Sequence, residues 1–276
     1  MSTVAGTSYA RSAVLARALV IAEEASAIVL GVYGEAFDVE YKGKDDPVTR
    51  ADKLANAHIA QALAASFPGI PIVAEESDPA AFAGFEAERS AFFVDPLDGT
   101  REFVAKNGQF AVMIGLAEEG RATLGVIVCP TSQRTFAAEG GSAFELTNGV
   151  RKPIHASAVA ALRDARVVVS RSHRAKGTDE MLARFAARQV DQVGSAGVKG
   201  TLVCCGEADI YVHLGMAGKR WDSCAPEAII HAAGGKVTDA TGAPFDYRSA
   251  HITNDRGILA TNGLLHPLAL ALNEGA

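Results

Sequence analysis

Only four cysteines occur in 276 residues, and Cys129, Cys204, Cys205 and Cys224 include no Cys-x-x-Cys pair. That spacing argues against a zinc site or a disulfide framework, and reduced, packed thiols are the expectation. A surplus of basic charge is missing as well: 26 Lys and Arg stand against 32 Asp and Glu, a formal net charge of −6. With no basic patch or stripe to meet a phosphate backbone, a nucleic-acid polymer is not an expected partner. No window approaches twenty uninterrupted apolar residues, as a membrane helix would need. The first residues also lack the charged, apolar and small-residue order of a secretory signal. The expected location is therefore the cytoplasm, with no membrane partner. Internal repeats and low-complexity blocks are absent too. What the chain does have is 49% hydrophobic content, enough for a sizeable core in one large domain or two modest ones.

The chemistry gathers in residues 91–103, AFFVDPLDGTREF. Ala91, Phe92, Phe93 and Val94 form a short apolar run bounded by Pro96 and Gly99, which predicts a buried strand ending at Asp95. Asp95 and Asp98 flank Pro96 and Leu97, so a tight turn can aim both carboxylates and the Leu97 carbonyl at one point. Oxygen ligands of that kind suit a hard cation such as Mg²⁺. Gly99 permits close backbone approach, and Thr100 adds a hydroxyl beside the same point. Taken alone, Asp-x-x-Asp-Gly is commonly a surface turn. Two further acidic clusters change that reading. Residues 70–74 predict a strand running into Glu75, Glu76 and Ser77, and Trp221-Asp222 opens a helical stretch that ends at Gly234 and Gly235. Glu75, Asp95, Asp98, Asp222 and the Leu97 carbonyl make an all-oxygen set too acidic to gather without cations, because like charges repel. Two or three Mg²⁺ ions are implied.

Taken in order, residues 9–32 place Leu15, Ala18, Leu19, Ala22, Ala25 and Val29 at helical spacing. A short strand at 39–42 leads into a polar loop from Lys42 to Pro47. A second helix spans 50–66, closed by Pro68 and Gly69, with Asp52 in its first turn where an acid complements the helix dipole. Residues 110–118 and 122–128 predict a hairpin, and 135–138 and 143–146 further strands. The N-terminal part therefore reads as α+β, a mostly antiparallel sheet under two helices. Polar residues 148–153 mark the expected boundary between halves, 1–150 and 151–276. Beyond it the order alternates: strand 166–170, helix 178–188, strand 190–193, helix 197–205, strand 210–212, helix 223–233, strands 236–239 and 258–260, and a closing helix 264–272. That alternation is an α/β pattern. His155, His213, His231 and His251 lack ligand spacing and read as structural or exposed.

Glu-Glu-Ser, Asp-Pro-Leu-Asp-Gly-Thr, then Trp-Asp with Ala-Pro-Glu and Gly-Gly-Lys-Val-Thr-Asp, in this order, resemble the lithium-sensitive, Mg²⁺-dependent phosphatases of the inositol monophosphatase superfamily. Arg101-Glu102-Phe103 and residues 220–239 look most like the 3′(2′),5′-bisphosphate nucleotidases within it. The resemblance implies a layered α/β/α/β/α sandwich of the inositol monophosphatase and fructose-1,6-bisphosphatase type, with the active site between the halves. It implies that Glu75 bridges metals, that Asp95, Asp98 and the Leu97 carbonyl bind them, and that Asp222 binds from the C-terminal side. Thr100 with Asp52 would orient and deprotonate a water. Ser170, His173, Ser195 and Lys199, with Thr100 and Asp222, would hold the substrate. The implied reaction releases the 3′-phosphate of adenosine 3′,5′-bisphosphate or of its 5′-phosphosulfate analogue, in a monomer or homodimer. Inositol-phosphate hydrolysis is the rival activity, and a non-catalytic metal or phosphate sensor the reading from another class. For Glu76, a water-mediated role and plain solvent exposure stand open, and Cys224 reads as a packed thiol.

Overall fold

The structure is a computed structural model that describes residues 9–43, 46–172 and 175–273. Helix α1 (Arg11–Tyr33) buries Val14, Leu15, Ala18, Ile21, Ala22, Ala25 and Val29, the stripe that 3.6-residue spacing puts on one face. Strands β1 (Val39–Gly43) and β2 (Asp46–Thr49) pair antiparallel, with Tyr41 opposite Pro47. Sequence reading predicts the first of these strands but makes residues 42–47 a polar loop; Gly43, Asp46 and Pro47 instead take the ladder pairing, and Lys44 and Asp45 lie outside the described residues. Helix α2 (Arg50–Ser66) opens on a capping box: the Thr49 hydroxyl accepts from Ala51 N at 3.1 Å and Asp52 Oδ2 accepts from Thr49 N at 2.7 Å.

Seven strands follow in one sheet: β3 (Ile72–Ala74), β4 (Ser90–Asp98), β5 (Ala111–Glu118), β6 (Arg121–Cys129), β7 (Arg134–Glu139), β8 (Ser142–Thr147) and β9 (Val150–Pro153). All pairings are antiparallel except β3 with β4. The short helix α3 (Thr100–Val104) follows β4 directly. Residues 148–153, read from their polarity as an inter-half boundary, include the exposed edge strand β9, in which Arg151 faces Leu146. An edge strand needs only one ladder partner and no apolar face, so hydropathy gives little sign of it.

The second sheet has the order β11-β10-β12-β14-β13, from β10 (Arg166–Ser170), β11 (Gln189–Val193), β12 (Ile210–His213), β13 (Lys236–Thr238) and β14 (Ile258–Thr261). Helices α4 (Thr178–Phe185), α5 (Ala196–Cys204), α6 (Arg220–Ala232) and α7 (His266–Asn273) complete the chain. Alternation along β4 divides the core. Phe92 and Val94 pack with α1 and α2, whereas Ala91 and Phe93 face the other way, into a cluster shared with α5 and α6. A third cluster joins Val167, Val169 and Leu259 of the second sheet to Met181 and Phe185 of α4 and Ala269 of α7. The outcome is the layered α/β/α/β/α arrangement, with α5 and α6 sandwiched between the sheets.

Helix α6 carries a buried acid the layers must accommodate. Glu227 is 3% exposed and accepts from the Tyr247 hydroxyl at 2.6 Å. Burial pushes its carboxyl up to about 7 from 4.5. A raised folded-state pKa means that folding favours the protonated acid, so this contribution is fully present below the unfolded value and is lost as pH rises through about 7. Glu227→Gln should remove that fall, gaining on the parent by on the order of 2–3 kcal/mol at pH 8 and almost nothing at pH 4. Urea unfolding across that range measures it; parallel curves for the two proteins would contradict the assignment.

Candidate active site

Strict alternation would send Asp95 and Asp98, three residues apart, to opposite faces of β4. The pairing avoids this. Asp95 faces Met113 and Asp98 faces Ala111, so three steps on β4 match two on β5 and one extra residue is accommodated at Pro96-Leu97. This bulge turns both carboxylates to the same side, and Pro96, which has no N–H to give a ladder, suits that position. The strand thus continues irregularly to Asp98 instead of ending at Asp95. Gly99 then turns the chain at φ +94, and a Cβ there would meet Gln109 O at 2.9 Å, so both conformation and space require glycine.

Asp222, in the first turn of α6, meets this bulge from the second half. One carboxylate oxygen from each of Asp95, Asp98 and Asp222 lies within 4.8 Å of the others. Glu75, at the end of β3, is hydrogen-bonded to Asp95. Burial, followed by the charge of Asp222, pushes Glu75 up to about 8; burial, followed by Asp98, pushes Asp222 up to about 7. Asp95 is held well above the usual carboxylate range by burial and then by Glu75 and Asp98. Acids this close resist ionising together unless cations are present, and an all-oxygen set of this kind fits hard divalent cations.

Beside the acids, the Thr100 hydroxyl donates to Asp52 Oδ1 at 2.9 Å and lies 3.2 Å from the Leu97 carbonyl oxygen. Asp52 is 1% exposed, and burial raises its pKa. Its other oxygen caps α2, so one carboxylate both starts a helix and orients a hydroxyl 48 residues away.

The opposite wall comes from the second half. Asp98 accepts from Ala196 N at 3.1 Å, from Gly197 N at 2.6 Å and from the Ser195 hydroxyl. The first amides of α5 are therefore engaged by Asp98. Lys199 is 3% exposed; its ammonium donates to the carbonyls of Ser195 at 2.5 Å and Val193 at 3.3 Å and sits 4.9 Å from the Tyr211 ring centre. Burial lowers its pKa to about 8. Glu102, 2% exposed on α3, accepts from Asn107, Arg171 and Ser172. Burial works to raise its pKa, but the bonds from Ser172, Asn107 and Arg171 outweigh that and leave it below the usual value. Together these groups enclose a cleft of about 710 Å³.

The model of the inositol monophosphatase family matches residues 11–274 of the chain. The chain belongs to the inositol monophosphatase family. It is 38% identical over 232 residues to the Salmonella typhimurium 3′(2′),5′-bisphosphate nucleotidase CysQ, covering 82% of this chain and 91% of that one. It is 31% identical over 280 residues to the human 3′(2′),5′-bisphosphate nucleotidase 1, covering 90% of each. The inositol monophosphatase structure from Anabaena superposes with a TM-score of 0.78 at 27% identity, covering 96% of both chains.

Asp98, Thr100, Ser170, Ser195, Lys199 and Asp222 line the cleft, with Asp95, Glu75, Asp52 and the Leu97 carbonyl in contact with that group. His173 lies outside the described residues. Glu76 pairs with Lys42 of β1, and Cys224 is fully buried. Sequence reasoning missed Glu102 as a bonded anchor, and it missed the cleft positions of Tyr211, His213 and Met216. A buried glutamate after Arg101 carries no spacing signal when two of its three partners are 69 and 70 residues away. No helix among the described residues is long and apolar enough to cross a membrane.

Proposed function

We propose that this chain is a Mg²⁺-dependent phosphomonoesterase that releases the 3′-phosphate of adenosine 3′,5′-bisphosphate, and of 3′-phosphoadenosine 5′-phosphosulfate, leaving the 5′-nucleotide. The observation that carries this reading is the meeting of Asp95, Asp98 and Asp222 within 4.8 Å, beside a threonine hydroxyl held on a buried aspartate. The names of the Salmonella and human relatives favour the nucleotide as substrate. In this reading Glu75, Asp95, Asp98, Asp222 and the Leu97 carbonyl hold two or three Mg²⁺ ions. Such cations neutralise phosphoryl oxygens, lower the pKa of a water and support the leaving oxygen.

The chain's own groups orient and move the proton. Thr100 Oγ1 takes a proton from the attacking water as its own passes to Asp52 Oδ1, a transfer that burial of Asp52 favours by raising its basicity. Ser170, His173, Ser195 and Lys199 form the substrate side, with Thr100 and Asp222 at the reacting phosphate. Two of the three Lys199 protons go to backbone carbonyls, leaving one for an anionic group in the cleft. On this reading the halves divide the work: 1–150 supplies most of the acids and 151–276 recognises the substrate.

Phosphate release from adenosine 3′,5′-bisphosphate, its phosphosulfate analogue, inositol 1-phosphate and inositol 1,4-bisphosphate, with Mg²⁺ and with chelator, tests the proposal. The nucleotides should lead and chelator should silence all four. A lead by the inositol phosphates would reassign the substrate, and turnover of none would favour a sensor. Lys199→Met should lower kcat/KM for adenosine 3′,5′-bisphosphate by about 10- to 150-fold, the worth of one charge-assisted bond, with a much smaller change for inositol 1-phosphate. An equal fall for both would place Lys199 at the reacting phosphate or in the fold.

A further inference from the structure

One wall of the cleft is chemically unlike the others. Between β12 and α6 the chain passes through Leu214, Gly215, Met216, Ala217 and Gly218, and the last three line the cleft. Met216 is 70% exposed, more than any other large hydrophobic side chain among the described residues, and it is the only one of that exposed set that lines this cleft. An isolated exposed apolar side chain is ordinary on a surface; one held at the mouth of a polar cleft is a feature to explain.

The loop that carries it is pinned on both sides. His213 Nε2 donates to the Met216 carbonyl at 3.1 Å. Ala217 N donates to Asn254 O at 2.9 Å, Asn254 N donates to Gly218 O at 2.9 Å, and the Asn254 amide donates to Ala217 O at 3.2 Å and Lys219 O at 2.8 Å. Asn254 itself is 2% exposed. At Gly218, with φ +71, an added Cβ would sit 2.5 Å from Asp222 Oδ2, so the loop closes directly against the acidic cluster. Its backbone is therefore fixed against the acidic cluster at Gly218, while the Met216 side chain stays open. A thioether on three rotatable bonds makes favourable contact with flat aromatic rings and adapts to their position.

We infer that Met216 is the contact for the purine ring and so a determinant of selectivity for nucleotides over polyol phosphates. The inference rests on the nucleotidase reading and assigns the base a place within it. The acids and Thr100 hold the reacting phosphate, Lys199 faces the second anionic group, and the apolar loop takes the ring, which has no charge to offer the polar walls. An inositol ring, edged with hydroxyls, gains nothing from a thioether.

Steady-state kinetics of Met216→Ser, Met216→Leu and the parent with adenosine 3′,5′-bisphosphate and inositol 1-phosphate test this. Met216→Ser should raise KM for the nucleotide roughly 2- to 12-fold at nearly constant kcat, leave inositol 1-phosphate unchanged, and be largely rescued in Met216→Leu. Calorimetric titration with AMP should weaken by the same factor, while titration with inorganic phosphate should not. The parent separates the two ideas: if it does not prefer the nucleotide, the nucleotidase reading falls and this inference with it. If it does, and Met216→Ser leaves KM unchanged or alters both substrates equally, the inference alone is overturned.

Discussion

Asp95→Asn is expected to lower kcat/KM by about 10³-fold or more and, in chelator at pH 8, to raise the melting temperature. The two effects have opposite signs for one reason. Asp95 is 2% exposed among three other acids, so its ionisation is unfavourable in the folded chain on its own. Its raised pKa means that stability is present below the unfolded-state value and is lost as pH climbs through the folded one. The substituted amide cannot ionise, yet its oxygen can still accept from Leu97 N, a bond of 3.0 Å in the parent. The gain should therefore be absent at pH 4 and grow toward pH 8, across the range in which Asp222 and Glu75, at about 7 and about 8, also titrate. Phosphate release at saturating Mg²⁺ and melting curves in chelator supply both halves. Loss of activity together with loss of stability would make Asp95 a folding residue, and retained activity would remove it from the site.

Thr100→Val should cost about 10²- to 10⁴-fold in kcat, the usual worth of a positioned acid–base group. Valine matches threonine in shape and deletes only the hydroxyl, so the 2.9 Å bond to Asp52 is lost without a cavity. Asp52→Asn should cost a similar factor. If the two act as a unit, the double variant should be little slower than either alone. Multiplication of the two losses would show separate roles and dissolve the pair.

Much of this was legible before any fold was known, because oxygen-rich turns after apolar runs leave a dense local pattern. Asp95, Asp98 and Thr100 lie within six residues, and the β4 run reads from hydropathy alone. Their shared direction was not legible, since it depends on a bulge measured against β5. Nor was the second task of Asp98, whose partners Ser195, Ala196 and Gly197 lie 97 to 99 residues away. Nor does sequence show that the helix start before Lys199 has its first amides committed to Asp98 by long-range closure. Strand β9 escaped because its residues are exposed and only the ladder defines it.

Asp98 and Glu102 leave the same segment, on either side of Gly99, and each fastens a different stretch of the opposite half: Asp98 the start of α5, Glu102 the exit of β10. On the proposed reading, the span from the reacting phosphate to the substrate-recognising side is thus set by covalent geometry inside one short stretch of chain, as the marks on a ruler are. Hinge bending cannot stretch it without breaking buried bonds. On that reading, substrates would be gauged by the interval between their anionic groups, and one whose interval is wrong would gain nothing from a wider opening.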